Sequence, residues 1–74
     1  MRVVAWERIG DRRVRLLVTP DGAYAVTIEV LGPDHVWEDI SLRADARLPA
    51  GEAMRQYARR LEDQRISTAL VQAA

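Results

Sequence analysis

The chain contains no cysteine, no lysine and no phenylalanine, and it has a single histidine. Without cysteine it forms no disulfide and no thiolate metal site, and one histidine builds a zinc centre only where several carboxylates converge on it. We therefore expect no metal and no cofactor. Small domains commonly gain stability from disulfides, a bound metal or self-association, and this composition leaves self-association open.

A surplus of charge of either sign is also missing. The 74 residues contain 11 basic residues, all arginine, and 11 acidic residues, so the formal net charge is zero. General nucleic-acid coats and polybasic membrane binders depend on excess positive charge, which this chain lacks. No signal-peptide core or membrane-spanning segment can be drawn at the charged N-terminus, and we expect a soluble, cytoplasmic protein. Arginine as the sole basic residue, with abundant alanine, is typical of a GC-rich bacterial genome.

The first half of the chain has the pattern of β-strands. Apolar and polar residues alternate, and the breaks fall at Gly-Asp, Pro-Asp-Gly and Gly-Pro-Asp sequences that favour turns. Short connections of this kind imply an antiparallel meander. The predicted strands are residues 2–9, 12–19, 23–31 and 35–43.

The fourth strand has two alternative registers. Its inner apolar series consists of Val36, Ile40 and Leu42. Glu38 falls on the same face as that series. Either Glu38 points inward, as a device against edge-to-edge pairing, or a bulge turns Trp37 inward instead. We favour the inward Glu38, which places Trp37 on the outer face of the sheet.

From residue 50 the sequence takes on the period of a helix, and the pattern predicts a helix over residues 50–72. Pro49 or Gly51 marks its start. Four strands followed by one helix make a single two-layer α+β domain of ββββα order, in which the helix packs on one face of the sheet. The expected sheet-facing stripe consists of Met54, Tyr57, Ala58 and Leu61.

The apolar stripe of the helix is interrupted towards its C-terminus. Arg65 takes the next position, and the remaining apolar residues lie about a third of a turn around the helix. Either the helix bends near residues 64–67, or its last two turns face something other than the sheet. Apolar residues that leave the intramolecular stripe need another surface, and a second copy of the chain is its most economical source. We therefore predict a homodimer or partner interface at Ile66, Leu70 and Val71.

Several arginines crowd the start of the second strand. On an open sheet face, guanidinium groups meet phosphates and an indole stacks on a base, so arginines beside an aromatic suit a nucleic acid. Such a site would consist of Arg12, Arg13, Arg15 and Trp37. The simpler interpretation is a solvated face on which Glu7, Asp11 or Glu29 pairs with the arginines, and the neutral charge balance favours it. Trp6 is expected to be a core or interface anchor.

No pattern in the sequence predicts catalysis. His35 follows a turn, and Ser41 lies about 20 Å further along the predicted strand, which is beyond hydrogen-bond reach. The neighbouring carboxylates of Glu38 and Asp39 face opposite ways on a strand. Four scattered glycines form no phosphate-binding loop, and a chain this short has little room for a pocket. We expect a small non-enzymatic binding protein without a small-molecule ligand, with nucleic-acid binding as the alternative.

The order of elements, a hairpin-rich sheet followed by one helix, resembles that of small transcriptional coactivators that bind single-stranded DNA. The resemblance covers element order and approximate length over residues 6–61, without a shared motif and without the lysine-rich character of that family. It implies a dimer formed through the helix and DNA bound by the sheet.

Overall fold

The computed structural model describes residues 1–41 and 46–73. This part of the chain contains four strands and one helix in the predicted order. They are β1 (Arg2–Ile9), β2 (Arg12–Val18), β3 (Tyr24–Leu31), β4 (Trp37–Asp39) and α1 (Ala50–Ala73). The strands form one antiparallel sheet in the order β1-β2-β3-β4, and α1 packs on one of its faces. The prediction of a two-layer ββββα domain is confirmed.

Two tight turns set the register of the first three strands. Gly10 has a φ of +63° and Asp11 after it has no positive φ, which is the pattern of a type II′ hairpin turn. In the next turn Gly22 has a φ of +84°, and its amide donates to the carbonyl of Thr19 at 3.0 Å. Both positions favour glycine, because a Cβ strains the backbone at such angles. The turns therefore fix which residues lie opposite one another in the sheet.

The turn between β2 and β3 is held by a carboxylate. Asp21 accepts a hydrogen bond from the hydroxyl of Thr19, and it accepts another from Nη2 of Arg47 at 2.6 Å. These contacts lower the pKa of Asp21 from 3.8 to about 2, with the Thr19 hydrogen bond as the largest cause. The ionised carboxylate thus ties the turn to the segment that leads into α1.

We expect the side chain of Asp21 to titrate near pH 2 in the folded protein. Because its pKa is lower in the folded than in the unfolded chain, the stabilisation by this carboxylate is complete above about pH 4 and is lost as the pH falls towards 2. An NMR titration of the carboxyl resonance measures this, and Thr19→Val should raise the pKa more than Arg47→Gln does. A wild-type titration at the ordinary value would contradict the role of this turn.

The core lies between α1 and the helix-facing side of the first three strands. A helix of ordinary diameter covers about three strands, so β4 extends beyond it. Tyr57 and Leu61 of the helix pack partly buried against the sheet. The buried members of the core are Val14, Leu16, Val26, Ile28 and Ala53.

The helix presents a different stripe to the sheet from the one that its apolar pattern predicts. Met54, predicted to be core, is 64% exposed, and Ala58 is exposed as well. The helix buries Ala53 instead, because so small a residue lets the helix and the sheet approach closely. The rotation about the helix axis that turns Ala53 in also turns Met54 out. Tyr57 and Leu61 are common to both stripes and contact the core as predicted.

β4 is shorter than the predicted strand over residues 35–43. His35 has a φ of +62°, in the left-handed region, so it belongs to the turn that precedes the strand. At the other end Asp39 accepts a hydrogen bond from the amide of Ser41 at 2.8 Å, and this local turn ends the pairing. Leu42 and the rest of the predicted strand lie outside the described residues.

The pairing of β4 with β3 decides between the two alternative registers. Trp37 lies opposite Leu31, and Glu38 lies opposite Val30. Glu38 is therefore on the helix side and Trp37 is on the outer side, as in the register that we favoured. Glu38 remains exposed there, because the contacts of α1 with the described strands are to β1, β2 and β3.

Candidate binding surfaces

The outer face of the sheet, on the side away from α1, carries most of the residues predicted to bind nucleic acid. A β-bulge between Val3 and Ala5 determines which β1 side chains reach it. Beyond the bulge, Trp6 lies opposite Arg15, so the two side chains share this face. The outer face consists of Val3, Trp6 and Arg8 on β1, Arg13, Arg15 and Leu17 on β2, Ala25, Thr27, Glu29 and Leu31 on β3, and Trp37 and Asp39 on β4.

Arg12 does not belong to the outer face. It lies opposite Ile9 and Val30 on the helix side of the sheet. Its Nη1 donates to Oε1 of Gln64 on α1 at 3.3 Å. The four residues predicted to contact nucleic acid are therefore divided between two faces, because neighbouring residues of a strand point in opposite directions.

Glu29 is the electrostatic centre of the outer face. Its carboxylate lies between Nε of Arg13 at 3.0 Å and Nε of Arg15 at 2.5 Å, and its side chain is only 9% exposed. One carboxylate thus offsets part of the charge of two guanidinium groups. Among the counter-ions that the sequence suggests, Glu29 pairs with these arginines, whereas Glu7 pairs with Arg65 of α1.

Trp37 is covered by arginines. The guanidinium carbon of Arg13 lies 4.4 Å from the centroid of the indole ring, and that of Arg8 lies 5.5 Å away. Arg13 therefore lies between the ring of Trp37 and the carboxylate of Glu29. Cation–π contacts of this kind contribute about 0.5–2 kcal/mol. A base that stacked on this side of Trp37 would have to displace Arg13.

Trp6 is the exposed aromatic residue that the predicted site does not include. It is 60% exposed, and with Val3, Arg13 and Arg15 it lines a shallow depression of about 190 Å³. The signal in the sequence is the Val3-Val4-Ala5 run, where apolar residues in succession break the alternation of the strand and favour a bulge. That bulge turns Val3 to the same face as Trp6.

The second predicted surface lies on the C-terminal part of α1. Ile66, Leu70 and Val71 are 52%, 67% and 74% exposed. The helix has 24 residues, about 36 Å, whereas the eight residues of β1 span about 26 Å. Thr68 lies beside Gly10 in the β1–β2 turn, so the turn of helix after it extends past the sheet. Ile66 and Leu70 share one side of the helix, and Val71 lies on another.

The outward edge of β1 forms a third surface. β1 pairs only with β2 among the described strands, so its other edge is open. Three of its large apolar side chains are exposed, namely Val3, Val4 and Trp6. The opposite edge of the sheet, β4, is only three residues long and two of these are acidic. Short, charged edges resist the addition of another strand, whereas long apolar edges favour it.

No family model matches the chain, and no curated protein or solved structure is significantly similar to it.

These surfaces share a small set of side-chain groups. They present guanidinium, indole and aliphatic groups, which form ion pairs, cation–π contacts and apolar contacts. Within residues 1–41 and 46–73, no three His, Asp or Glu side chains are grouped so that they could hold a metal ion. In the same residues, no helix has the length and apolar character needed to cross a bilayer.

Proposed function

We propose that the protein is a small non-enzymatic interaction protein that acts as a homodimer. The observation that carries this proposal is the exposure of Ile66 and Leu70 on one side of the C-terminal part of α1. Full removal of an aliphatic side chain of this size from water contributes about 1.5–3 kcal/mol. In a single copy these side chains remain in contact with water, and the surface of a second copy would bury them.

The small size of the core supports the same proposal. A chain of 74 residues typically has a free energy of unfolding of about 4–11 kcal/mol. Association that buries further apolar surface adds to this value by an amount that grows with the logarithm of the dimer's affinity. The sequence predicts Ile66, Leu70 and Val71 for the contact. Ile66 and Leu70 form its centre, and Val71 lies about 100° around the helix, beside the β1–β2 turn.

Leu70→Asp is expected to weaken association through the helix contact by roughly a hundredfold, because an unpaired carboxylate in an apolar contact loses its hydration. Leu70 lies outside the core, so the monomer should keep its fold. Sedimentation equilibrium over a wide range of concentrations measures the mass and the dissociation constant.

The matched control for this variant is Gln72→Asp, which introduces the same charge about 160° away around the helix. We expect it to keep the dissociation constant of the wild type. Equal masses for the wild type and Leu70→Asp at every concentration would show that the helix is not the dimer contact.

A second candidate function is the binding of single-stranded nucleic acid by the outer face. The observation that favours it is the position of Trp6, an open indole in the same depression as Arg13 and Arg15. Such an arrangement allows a base to stack while guanidinium groups meet the phosphates. The neutral net charge and the pairing of both arginines with Glu29 make this the second candidate.

A further inference from the structure

We propose that β1 is a second self-association surface, at which two copies of the chain pair their β1 strands antiparallel about Glu7. The two four-stranded sheets then join into one continuous sheet. This contact is separate from the helix contact proposed above. With both contacts in place, helix-paired dimers join into larger assemblies as the concentration rises, and without the helix contact two copies still pair through β1.

Within the described strands, two residues of β1 have backbone groups that are free of the sheet's own hydrogen bonds and point outward. The amide of Leu31 donates to the carbonyl of Asp11 at 2.8 Å, which fixes the residues of β2 whose backbone groups turn towards β3. The amide and carbonyl groups of the intervening β2 residues point towards β1, because backbone hydrogen-bonding directions alternate along an antiparallel strand. With the observed register, the amide and carbonyl groups of Trp6 and Arg8 point away from the sheet. An added strand would hydrogen-bond to these groups.

The bulge near the start of β1 limits the register of the pairing. Beyond it, the strand is regular from Ala5 to Ile9, and the midpoint of this segment is Glu7. An antiparallel copy centred on Glu7 uses the whole regular segment of both chains and avoids both bulges. In this register Trp6 lies opposite Arg8 of the second copy, and the reverse pair forms by symmetry.

The facing side chains complement one another in this register. On the outer face, the exposed ring of Trp6 lies opposite the second copy's Arg8. To contact this ring, the guanidinium group turns from the Gly10 carbonyl and the Trp37 ring of its own chain. A contact of the same type already occurs within one chain, where Arg13 lies 4.4 Å from the ring of Trp37. On the helix side, Ala5 faces the second copy's Ile9, which is an apolar pair. The strand is therefore complementary to itself in both hydrogen bonds and side chains.

Glu7 is the unfavourable element, since it lies opposite its own counterpart. Like charges directly opposite each other destabilise a strand pair. Each Glu7 is ion-paired with Arg65 of its own helix, which offsets part of this repulsion. The pairing is weakened but retained, and it predicts that Glu7→Gln tightens the association about fivefold.

The test begins from the Leu70→Asp chain, in which the proposed helix contact is removed. In this background we expect a dimer, which Arg8→Pro converts into a monomer. Proline removes the outward amide of Arg8, a change that an edge strand tolerates because that amide otherwise faces solvent. Sedimentation equilibrium gives the masses, and circular dichroism shows whether each variant keeps its fold.

Two milder variants keep the test decisive if Arg8→Pro fails to fold. Arg8→Ala retains the amide and removes the guanidinium group, which within its own chain donates a hydrogen bond to the Gly10 carbonyl and contacts Trp37. Because the proposed contact with Trp6 of the second copy is lost as well, we expect the dissociation constant to rise about fivefold. Glu7→Gln should lower the dissociation constant by a similar factor.

The outcomes separate the two proposed contacts. A monomeric Leu70→Asp chain overturns the strand pairing and leaves the helix contact standing. Equal dimers for the wild type and Leu70→Asp, both abolished by Arg8→Pro, support the strand pairing and overturn the helix contact. A dissociation constant that neither Arg8→Ala nor Glu7→Gln changes overturns the strand pairing.

Discussion

Leu16→Ala is expected to lower the free energy of unfolding by about 2–4 kcal/mol. Leu16 is buried at the middle of β2, opposite Ala5 on one side and Val26 on the other. Truncation removes buried methyl groups and leaves a cavity beneath α1. The neighbouring Ala5 and Ala53 are too small to fill it. Against a total of about 4–11 kcal/mol, this loss is a large fraction of the stability. Urea denaturation followed by circular dichroism measures it.

Met54→Ala is the matched control, because it truncates an apolar side chain that the sequence also assigns to the core. In the structure this side chain is exposed, so we expect a change of less than about 0.5 kcal/mol. A loss as large as that of Leu16→Ala would mean that the helix packs with Met54 inward and Ala53 outward. The pair of variants therefore tests both the core and the rotation of α1.

The fold was predictable because the local signals in the first half of the chain agree with one another. Alternation in the segments that form β2 and β3 identifies Val14, Val26 and Ile28 as one apolar face, and each break contains turn residues. Local connections between neighbouring strands leave the meander as the simplest topology. Sequence and structure agree here because propensity, alternation and turn chemistry all favour the same arrangement.

The rotation of the helix was not predictable from hydrophobicity. An apolar pattern ranks Met54 above Ala53, since the methionine has more apolar surface to bury. Packing against a sheet favours the smaller residue where the helix must approach closely. The identity of that closest position depends on the path of the chain into α1, and this path is set by the pairing of Leu48 with Tyr24. No local pattern in the helix contains that information.

The arrangement of the outer face was predictable only in part. Alternation in β2 does place Arg13 and Arg15 on one side, and the same rule separates Arg12 from them. The choice of Glu29 as their counter-ion depends on its position opposite Arg13, which is fixed by the register of β2 and β3. The position of Trp6 depends on the bulge in β1. Both features are long-range consequences of pairing.

Glu29→Ala is expected to have opposite effects on stability and on the binding of single-stranded DNA. Removal of the carboxylate leaves Arg13 and Arg15 without their shared partner, and we expect the free energy of unfolding to fall by about 1–3 kcal/mol. The same change frees two guanidinium groups beside Trp6. If the outer face binds nucleic acid, affinity for a mixed-sequence oligonucleotide should rise about tenfold at low salt. Each added phosphate contact should steepen the dependence of log K on log salt by about 0.7.

Glu38→Ala is the control that separates the site from the overall charge. It removes one negative charge from the exposed helix side of β4 and leaves the pairs of Glu29 intact. Fluorescence anisotropy of a labelled oligonucleotide, at low and near-physiological salt, compares the two variants with the wild type. A gain confined to Glu29→Ala would mean that this carboxylate masks an anion-binding face. Equal, small changes in both variants would mean that Arg13 and Arg15 only stabilise the sheet, because their release from Glu29 would then create no site for phosphate.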